Sequence, residues 1–495
     1  MSEVRTTAGT VRGRFAEGLT VFLGIPFAEP PVGDLRFAAP HPARAWDGVR
    51  DAVAFGPPPP QENGIPGRTG DVDRSAGDDW LTVNVWTPDP GRAAGRPVMV
   101  WIYGGAYKLG SADGYDARHI ARDGDVVVVT FNHRVGVEGY AEIEGAPANR
   151  GLLDQVAALE WVRDNIAGFG GNPDDVTVFG QSAGAGAIAA LLAMPSARGL
   201  FHRAIAQSVP GTFFGADLAA DIATAIAAEI GLRPTVADLA RVPPRELPDA
   251  GMAIFPKMRQ YEDRWGPVAH TLTPFSPVVD GTVLPTAPWQ ALAEGAGRDV
   301  DLVAGHNRDE DRLFMAFAGQ LGSITDDQVT EALRVFSPDP DAYRAAFPDA
   351  SAEHLYEMVR SDWLFRMPTL HLAQAHVAGG GRAHVYELTF PAPAGVFGAC
   401  HGLEGPLLFG TFDTQLGPLL IGPEPTPDTL TLSAYIRRAW TAFATTGDPG
   451  WPAYDPEQRL VRVLDTEPVV TAYPEETSRR LWQDHTFTAL PLRTI

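Results

Sequence analysis

A strand, a tight serine turn and a helix follow one another between residues 176 and 194. Residues 176–179 form a short β-branched and aromatic run that is typical of a buried strand, and residues 185–194 form an Ala- and Leu-rich run that is typical of a helix. Between them lies the pentapeptide Gly-x-Ser-x-Gly, with Ser182 at its centre. Such a turn holds its serine in a strained conformation with Oγ exposed, and its two glycines let strand and helix pack closely. The pattern predicts a nucleophilic serine on an α/β scaffold.

The composition is that of an ordinary globular protein, with 45% hydrophobic and 20% charged residues in a chain of 495. Lys and Arg total 39 and Asp and Glu total 61, so the formal net charge is −22. This charge disfavours partners such as nucleic acid and anionic membranes. The N-terminal residues 1–10 contain no apolar run of the length found in a signal peptide, and no window of the sequence approaches the length of a membrane span. There is one cysteine, Cys400. Both features predict a cytoplasmic protein without an intramolecular disulfide.

Strand-like and helical patterns alternate along the rest of the chain. Strand-like runs occupy residues 98–103, 126–131, 302–304 and 384–388, and the first two are continuously apolar. Apolar residues at helical spacing occupy residues 152–166 and 432–443. Continuous apolar strands suit parallel strands that are covered on both faces. The alternation therefore predicts an α/β fold with a large, mostly parallel central sheet and helices on both faces.

The predicted serine needs a base to accept its proton and an acid to orient that base. On a serine turn of this kind the three residues arrive in the order Ser, then Asp or Glu, then His. An acid is expected after the strand at residues 302–304, where Asp309 and Glu310 compete. Of the 12 histidines, His401 lies late in the chain, in a loop after the strand at residues 384–388. Chain order leaves four other histidines open as bases: His371, His376, His384 and His485.

The strand at residues 98–103 opens directly into Gly104, Gly105 and Ala106. Small residues allow backbone N–H groups to point at a developing negative charge without obstruction by side chains. The N–H of Ala183, the residue after the serine, is expected to supply a further donor. These segments are the candidate oxyanion hole.

Further motifs carry a resemblance to a known family, and they span almost the whole chain. They lie in the family's order at residues 9–13, 22–33, 35–37, 149–155, 169–173, 275–281 and 446–449. On these segments the chain resembles the type-B carboxylesterases, which include bacterial para-nitrobenzyl esterases and the cholinesterases. The resemblance implies an α/β-hydrolase fold in which residues 1–495 form one catalytic domain. It also implies helical insertions at about residues 210–270 and 310–380, on the side of the substrate gorge.

The resemblance assigns the open site residues as well. It implies a catalytic triad of Ser182, Glu310 and His401, with Asp309 excluded as the acid. It maps the oxyanion donors to Gly105, Ala106 and Ala183. Residues expected to support this site are Gly104, Gln181, Ser208 and Glu404. Residues expected to line a wide substrate pocket are Thr271, Thr273, Phe275 and Phe314.

Two positions near the triad depart from the family pattern. Gln181 stands where relatives carry Glu, and Asp311 replaces the Gly that follows the acid. A buried carboxylate beside the histidine would stabilise imidazolium, whereas an amide cannot. Glu404 is then expected to be the only other anion near His401.

Two features outside the triad also follow from the resemblance. Arg36 and Asp78 match a family ion pair, which we interpret as structural. The loop at residues 62–77 is expected to lie over the mouth of the gorge.

The implied function is a serine carboxylesterase that hydrolyses small to bulky esters of the para-nitrophenyl type, without a metal or an organic cofactor. The same triad also serves amides, carbamates and synthetic polyesters, so these bonds stay open as alternatives. A third reading is a non-catalytic adhesion or binding homologue, but such proteins have lost a triad residue. The expected partner is a small-molecule ester, with no nucleic acid and no membrane. We expect a monomer or a weak homo-oligomer.

Overall fold

The computed structural model describes residues 2–62, 77–91 and 94–494. Its dominant feature is a sheet of thirteen strands in this part of the chain, with a two-stranded sheet beside it. The strands are β1 (Ser2–Arg5), β2 (Thr10–Ala16), β3 (Leu19–Pro26), β4 (Val49–Asp51), β5 (Thr82–Thr87), β6 (Arg96–Ile102), β7 (Val127–Phe131), β8 (Gly171–Gln181), β9 (Arg203–Gln207), β10 (Phe214–Gly215), β11 (Val278–Val279), β12 (Asp301–Asn307), β13 (Ala383–Leu388), β14 (Leu460–Leu464) and β15 (Val469–Ala472).

The large sheet has the strand order β1-β2-β3-β5-β7-β6-β8-β9-β12-β13-β14-β15, and β4 pairs with β2. From β7 to β14 every neighbouring pair is parallel. The pairs from β1 to β7 along one margin and the β14–β15 pair at the other are antiparallel. The prediction of a mostly parallel central sheet is confirmed.

Helices connect the parallel strands and cover the sheet. The α-helices are α1 (Arg118–Gly124), α2 (Gly136–Tyr140), α3 (Arg150–Asn165), α4 (Ala183–Ala193), α5 (Ala216–Ala228), α6 (Val236–Leu239), α7 (Pro248–Ile254), α8 (Glu262–Trp265), α9 (Pro288–Ala293), α10 (Arg312–Phe317), α11 (Asp326–Phe336), α12 (Pro340–Ala346), α13 (Ala352–Ser361), α14 (Met367–Ala378), α15 (Glu404–Phe409), α16 (Gly417–Leu420), α17 (Pro427–Thr446) and α18 (Glu476–Trp482). A π-helical turn, Asp362–Arg366, joins α13 to α14.

The core lies on both faces of the sheet, as β6 shows. Successive side chains of a strand point to opposite faces. Val98, Val100 and Ile102 accordingly pack into one apolar cluster, which includes residues of α3 and α4. Met99 and Trp101 pack into a second cluster, which includes residues of α17. Helices therefore cover both faces, and this explains why the β6 sequence is continuously apolar.

The two predicted insertion ranges are helical. Helices α5 to α8 lie within residues 210–270, and α10 to α14 lie within residues 310–380. The loop predicted over the gorge mouth lies outside the described residues, apart from its two ends at Glu62 and Gly77. None of the helices in the described ranges combines the length and the apolar character needed to cross a bilayer.

The expected ion pair between Arg36 and Asp78 is not formed. The buried Arg36 guanidinium donates to Glu138, with Nη2 2.7 Å from Oε1, and to the carbonyl oxygens of Ala240 and Val242. Asp78 is exposed. A buried guanidinium must pair its N–H groups within the protein, so the enclosed carboxylate of Glu138 is its partner.

Candidate active site

Parallel strands place their carboxyl ends at one edge of a sheet, and loops that follow such strands meet there. The candidate oxyanion loop follows β6, the serine follows β8, the acid follows β12, and the histidine lies in the chain after β13. Four sequence segments that are far apart along the chain therefore converge on one edge.

Ser182 occupies the sharp turn between β8 and α4, with φ 59° and ψ −126°. This conformation is strained for a residue with a side chain, and the surrounding contacts hold it in place. The Ser182 N–H donates to the Gln207 carbonyl oxygen at 2.8 Å. A Cβ on Gly180 would lie 2.7 Å from the Ile102 carbonyl oxygen, and a Cβ on Gly184 would collide with the same oxygen. Both glycines are thus required by the close approach of β8 and α4 to β6.

His401 and Glu310 form a short hydrogen bond, with Nδ1 2.6 Å from Oε2. Both residues are buried. A carboxylate only accepts, so Nδ1 carries the proton and Nε2 of the neutral ring keeps its lone pair. The pair thus fixes an imidazole whose Nε2 can accept a proton, and this is the geometry expected of an acid and a base in a triad.

The second carboxylate oxygen of Glu310 is held by two donors. Oε1 accepts from the Ser208 hydroxyl at 2.6 Å and from the Asn307 N–H at 2.8 Å. Asn307 also donates its side-chain N–H to Glu404 Oε2 at 2.8 Å, and Ser208 Oγ lies 3.2 Å from Glu404 Oε1. Burial, and next the charge of Glu310, raise the pKa of Glu404. Ser208 and Glu404, which were expected to support the site, therefore lie beside Glu310 or its hydrogen-bond partners. No role was predicted for Asn307.

The competing acid has a different partner. Asp309 Oδ2 accepts the Ala399 N–H at 2.8 Å, and the Asp309 N–H donates to the Ala399 carbonyl oxygen at 3.0 Å. Asp309 thus stabilises the loop that contains His401 and does not contact the imidazole.

The competing histidines also lie elsewhere. His376 Nε2 is 2.9 Å from the Val300 carbonyl oxygen, and His384 Nδ1 is 3.0 Å from that of Trp451. His371 and His485 pack against aromatic rings near the C-terminus. Among these described histidines, His401 is the one that lines a cavity with Ser182.

Gln181, which was expected to lie beside the histidine, contacts the imidazole directly. Its Nε2 lies 3.1 Å from His401 Nε2. Because the lone pair of the neutral ring is on Nε2, the amide donates to it. Within the described ranges, no hydrogen bond reaches the Ser182 hydroxyl, so in this conformation the His401 Nε2 lone pair is bonded to the Gln181 amide and not to Ser182.

Asp311 is a further anion that acts on His401, so Glu404 is not the only one. It is buried, and its Oδ2 is 2.6 Å from Arg360 Nε. Burial raises the pKa of Asp311, while Arg360 and then His401 oppose the rise. The Asp311 carboxylate, which stands where relatives have Gly, therefore has the Arg360 guanidinium as its counter-ion.

Two aromatic rings pack on the imidazole. The ring of Phe365 stacks on His401 with centroids 4.2 Å apart, and that of Phe314 lies at 5.1 Å. Phe314 was predicted as a pocket residue, but Phe365 was missed, since it lies in the π-helical turn that no local pattern marks. Both rings restrict how the imidazole can rotate.

The candidate oxyanion loop has an unusual backbone. Gly105, Ala106 and Tyr107 have successive positive φ values of 132°, 54° and 59°. A Cβ on Gly105 would collide with the Leu109 carbonyl oxygen. In the described part of the chain, no acceptor is found for the N–H groups of Gly105, Ala106 and Ala183. These donors therefore stay available to a bound anion.

Gly104 brings this loop against the serine turn. A Cβ there would lie 2.6 Å from the Gln181 carbonyl oxygen and 3.0 Å from Ser182 Cβ. The absence of a side chain at Gly104 thus allows the loop and the Ser182 turn to pack against each other.

A cavity of about 480 Å³ contains the site and is lined mainly by apolar side chains. Three of the residues expected to line a substrate pocket, Thr271, Thr273 and Phe314, line this cavity. The fourth, Phe275, does not line it and packs beside Gly251 instead. Both insertion ranges contribute to the wall, and so does the segment 402–416, which was not predicted.

One group among the described residues has the composition of a metal site, and it lies outside this cavity. Glu262, His270 and Glu331 have ligand atoms within 4.8 Å of one another. Each carboxylate is already bonded to an arginine, Arg334 and Arg259 respectively. We assign no role to this group.

Comparison with known proteins identifies the chain's relatives. The Carboxylesterase family model matches residues 1–482. This chain belongs to the carboxylesterase family. It is 36% identical to the para-nitrobenzyl esterase of Bacillus subtilis, over 96% of this chain and 97% of that protein. It is 35% identical to the phenmedipham hydrolase of Pseudarthrobacter oxydans, over 93% and 94%.

Solved structures of carboxylesterases have the same fold. A carboxylesterase of Geobacillus stearothermophilus superimposes with a TM-score of 0.85 at 33% identity, covering 98% of this chain and all of that one. A thermophilic para-nitrobenzyl esterase gives 0.84 at 36% identity, covering 97% and 99%. The predicted α/β-hydrolase fold is therefore confirmed, and this carboxylesterase is a carboxylic-ester hydrolase.

Proposed function

We propose that the protein hydrolyses carboxylic esters through an acyl-enzyme on Ser182. In this proposal His401 is the general base, Glu310 orients it, and the N–H groups of three residues stabilise the oxyanion: Gly105, Ala106 and Ala183. The observation that carries the proposal is the 2.6 Å bond between His401 Nδ1 and Glu310 Oε2, in the same cavity as a serine on a strained turn.

The reaction has two steps. Ser182 Oγ attacks the ester carbonyl carbon while His401 Nε2 takes its proton, and the oxyanion hole receives the negative charge. The tetrahedral intermediate collapses, His401 protonates the leaving alcohol, and a water molecule repeats the sequence on the acyl-enzyme. In the first step His401 Nε2 must exchange its bond to Gln181 for one to Ser182.

The cavity supports a broad substrate range. A volume of about 480 Å³ with a mainly apolar wall accepts esters with small to bulky groups, including para-nitrophenyl esters. Similarity to a protein named para-nitrobenzyl esterase supports this range. Similarity to a protein named phenmedipham hydrolase keeps carbamates among the bonds to be tested.

Labelling with a fluorophosphonate, followed by peptide mapping, tests the nucleophile. We expect one labelled serine, Ser182. Parallel assays with para-nitrophenyl acetate, a long-chain ester, a carbamate and an anilide test the bond. Ester turnover with weak anilide turnover supports the proposal. Labelling at another serine contradicts the assignment, and activity on none of these substrates favours a binding protein.

Replacing Gln181 with glutamate is expected to move the acidic limb of the kcat/KM profile upward by about one pH unit, because a carboxylate within hydrogen-bond distance stabilises the imidazolium form of the base. The histidine then stays protonated, and so inactive, to a higher pH. The measurement is kcat/KM for a neutral ester between pH 5 and 9.

Gln181→Leu is the matched control, since it removes the amide donor without adding charge. It should leave the limb in place or move it upward by less than Gln181→Glu does, because the lost bond favours the neutral ring. If Gln181→Glu leaves the limb unchanged, or lowers it, position 181 does not act on His401 electrostatically.

A further inference from the structure

The apolar cavity contains one ion pair. Among its described lining residues, Glu62 is the only acid and Lys108 the only permanent cation. Lys108 Nζ lies 3.2 Å from Glu62 Oε2, and their side chains are 17% and 5% exposed. Burial raises the pKa of Glu62, and Lys108 opposes the rise. An ion pair in such surroundings is weak evidence for a role in stability, because desolvation offsets much of its attraction.

The ion pair is attached to the candidate oxyanion loop on both sides. The Lys108 N–H donates to the Gly105 carbonyl oxygen at 3.0 Å. Gln61, next to Glu62, accepts the Gly110 N–H at 2.8 Å and donates to the Gly110 carbonyl oxygen at 3.1 Å. Both charged residues therefore follow backbone that is fixed relative to the site of reaction.

Within the described part of the chain, the Lys108 ammonium group has N–H donors without an acceptor. An ammonium group has three N–H donors, and Glu62 takes one of them. Among the described residues, Nζ also lies over the ring of Phe255, whose centroid is 5.0 Å away. A ring accepts only weakly, so a substrate oxygen can bind the ammonium without displacing Glu62.

The charges select the kind of group that fits. A bound anionic group would bring a second negative charge next to Glu62, in a protein whose net charge is −22. A bound cationic group would be repelled by the Lys108 ammonium group. A neutral group with an acceptor and a donor side by side satisfies both partners, and it costs less to desolvate than an ion.

We propose that Lys108 and Glu62 form a dipolar subsite for a primary amide or primary carbamate group, whose carbonyl oxygen and one N–H point the same way, carried by the substrate away from the scissile ester. The carbonyl oxygen of that group accepts from Lys108, and its N–H donates to Glu62. The subsite rests on the proposed function, because it selects among esters that Ser182 would cleave.

Two series of esters test the subsite. In one, the acyl chains of para-nitrophenyl esters end in a primary amide after successive numbers of methylenes. In the other, the alcohol chains of acetate esters end in a primary amide at successive lengths. For each, kcat/KM is divided by that of the matching alkyl ester. We expect the ratio to peak at one amide position, and Lys108→Met and Glu62→Gln each to lower that peak about tenfold, as for loss of a hydrogen bond to a charged group.

Lys257→Met is the matched control, because Lys257 pairs with Glu229 and its side chain is 48% exposed. It should leave the peak unchanged. The melting temperature of each variant shows whether the protein is still folded. Because Lys108→Met and Glu62→Gln change different members of the pair, a local distortion caused by one substitution would not explain the same result in both. The subsite is overturned if the wild-type ratio of amide ester to alkyl ester is the same at every amide position. It is also overturned if the peak survives in both variants. Failure to cleave either series overturns the proposed function instead.

Discussion

Replacing Ser182 with alanine is expected to lower kcat for para-nitrophenyl acetate by at least about 10³-fold. The variant loses the hydroxyl that forms the acyl-enzyme, while the oxyanion donors and the cavity remain. Alanine has the same backbone preferences as serine at φ 59°, so the turn should persist. Steady-state turnover by the purified variant, with its melting temperature, is the measurement. Fluorophosphonate labelling should disappear with the activity.

The neighbouring buried serine provides the matched control. Ser208 also has φ 59°, but its hydroxyl donates to Glu310 instead of facing the cavity. Ser208→Ala removes one hydrogen bond to a charged group, which is expected to lower kcat by about tenfold. Near-normal turnover by Ser182→Ala, or an equal loss in both variants, would refute Ser182 as the nucleophile.

Replacing Glu310 with glutamine is expected to lower kcat by about 10⁴-fold, the loss that follows when an imidazole is held in its wrong tautomer. Ser208 and the Asn307 N–H both donate to Oε1, so they hold the amide oxygen on their side. The amide nitrogen then faces His401 and donates to Nδ1. The ring proton moves to Nε2, which cannot accept the Ser182 proton. The measurement is kcat for para-nitrophenyl acetate across pH 6 to 9.

Glu404→Gln is the matched control for this change. Glu404 is also buried, and burial favours its neutral form, so an amide alters its charge less. Glutamine also keeps an acceptor for the Asn307 side chain. We expect a loss of no more than about tenfold. A larger loss in Glu404→Gln than in Glu310→Gln would contradict the assignment of Glu310 as the orienting acid.

Much of the fold could be predicted because its signals are local. The β6 sequence is continuously apolar since helices cover both faces of the sheet, and α17 shows its apolar stripe at helical spacing for the same reason. The ion pair of Arg36 could not be predicted in this way. Its partner is Glu138, about a hundred positions along the chain, and only packing brings the two together.

The candidate site divides in the same manner. The order of residues alone could not decide whether Asp309 or Glu310 is the acid that contacts His401, because two adjacent side chains on one loop point in different directions. The resemblance to carboxylesterases pointed to Glu310, and the structure places that residue at His401 while Asp309 bonds to Ala399. Phe365 could not be foreseen, since a π-helical turn presents its ring to His401.

The sequence by itself determined the class of fold and the position of the strained serine, since both depend on sterics within a few residues. Gly180 and Gly184 are needed wherever a strand and a helix approach this closely. The tertiary structure decided which groups meet the imidazole. Positions 181 and 401 are 220 residues apart, and no local pattern could reveal that the Gln181 amide would take the lone pair of His401 Nε2. That contact exists because parallel strands deliver distant loops to one edge of the sheet.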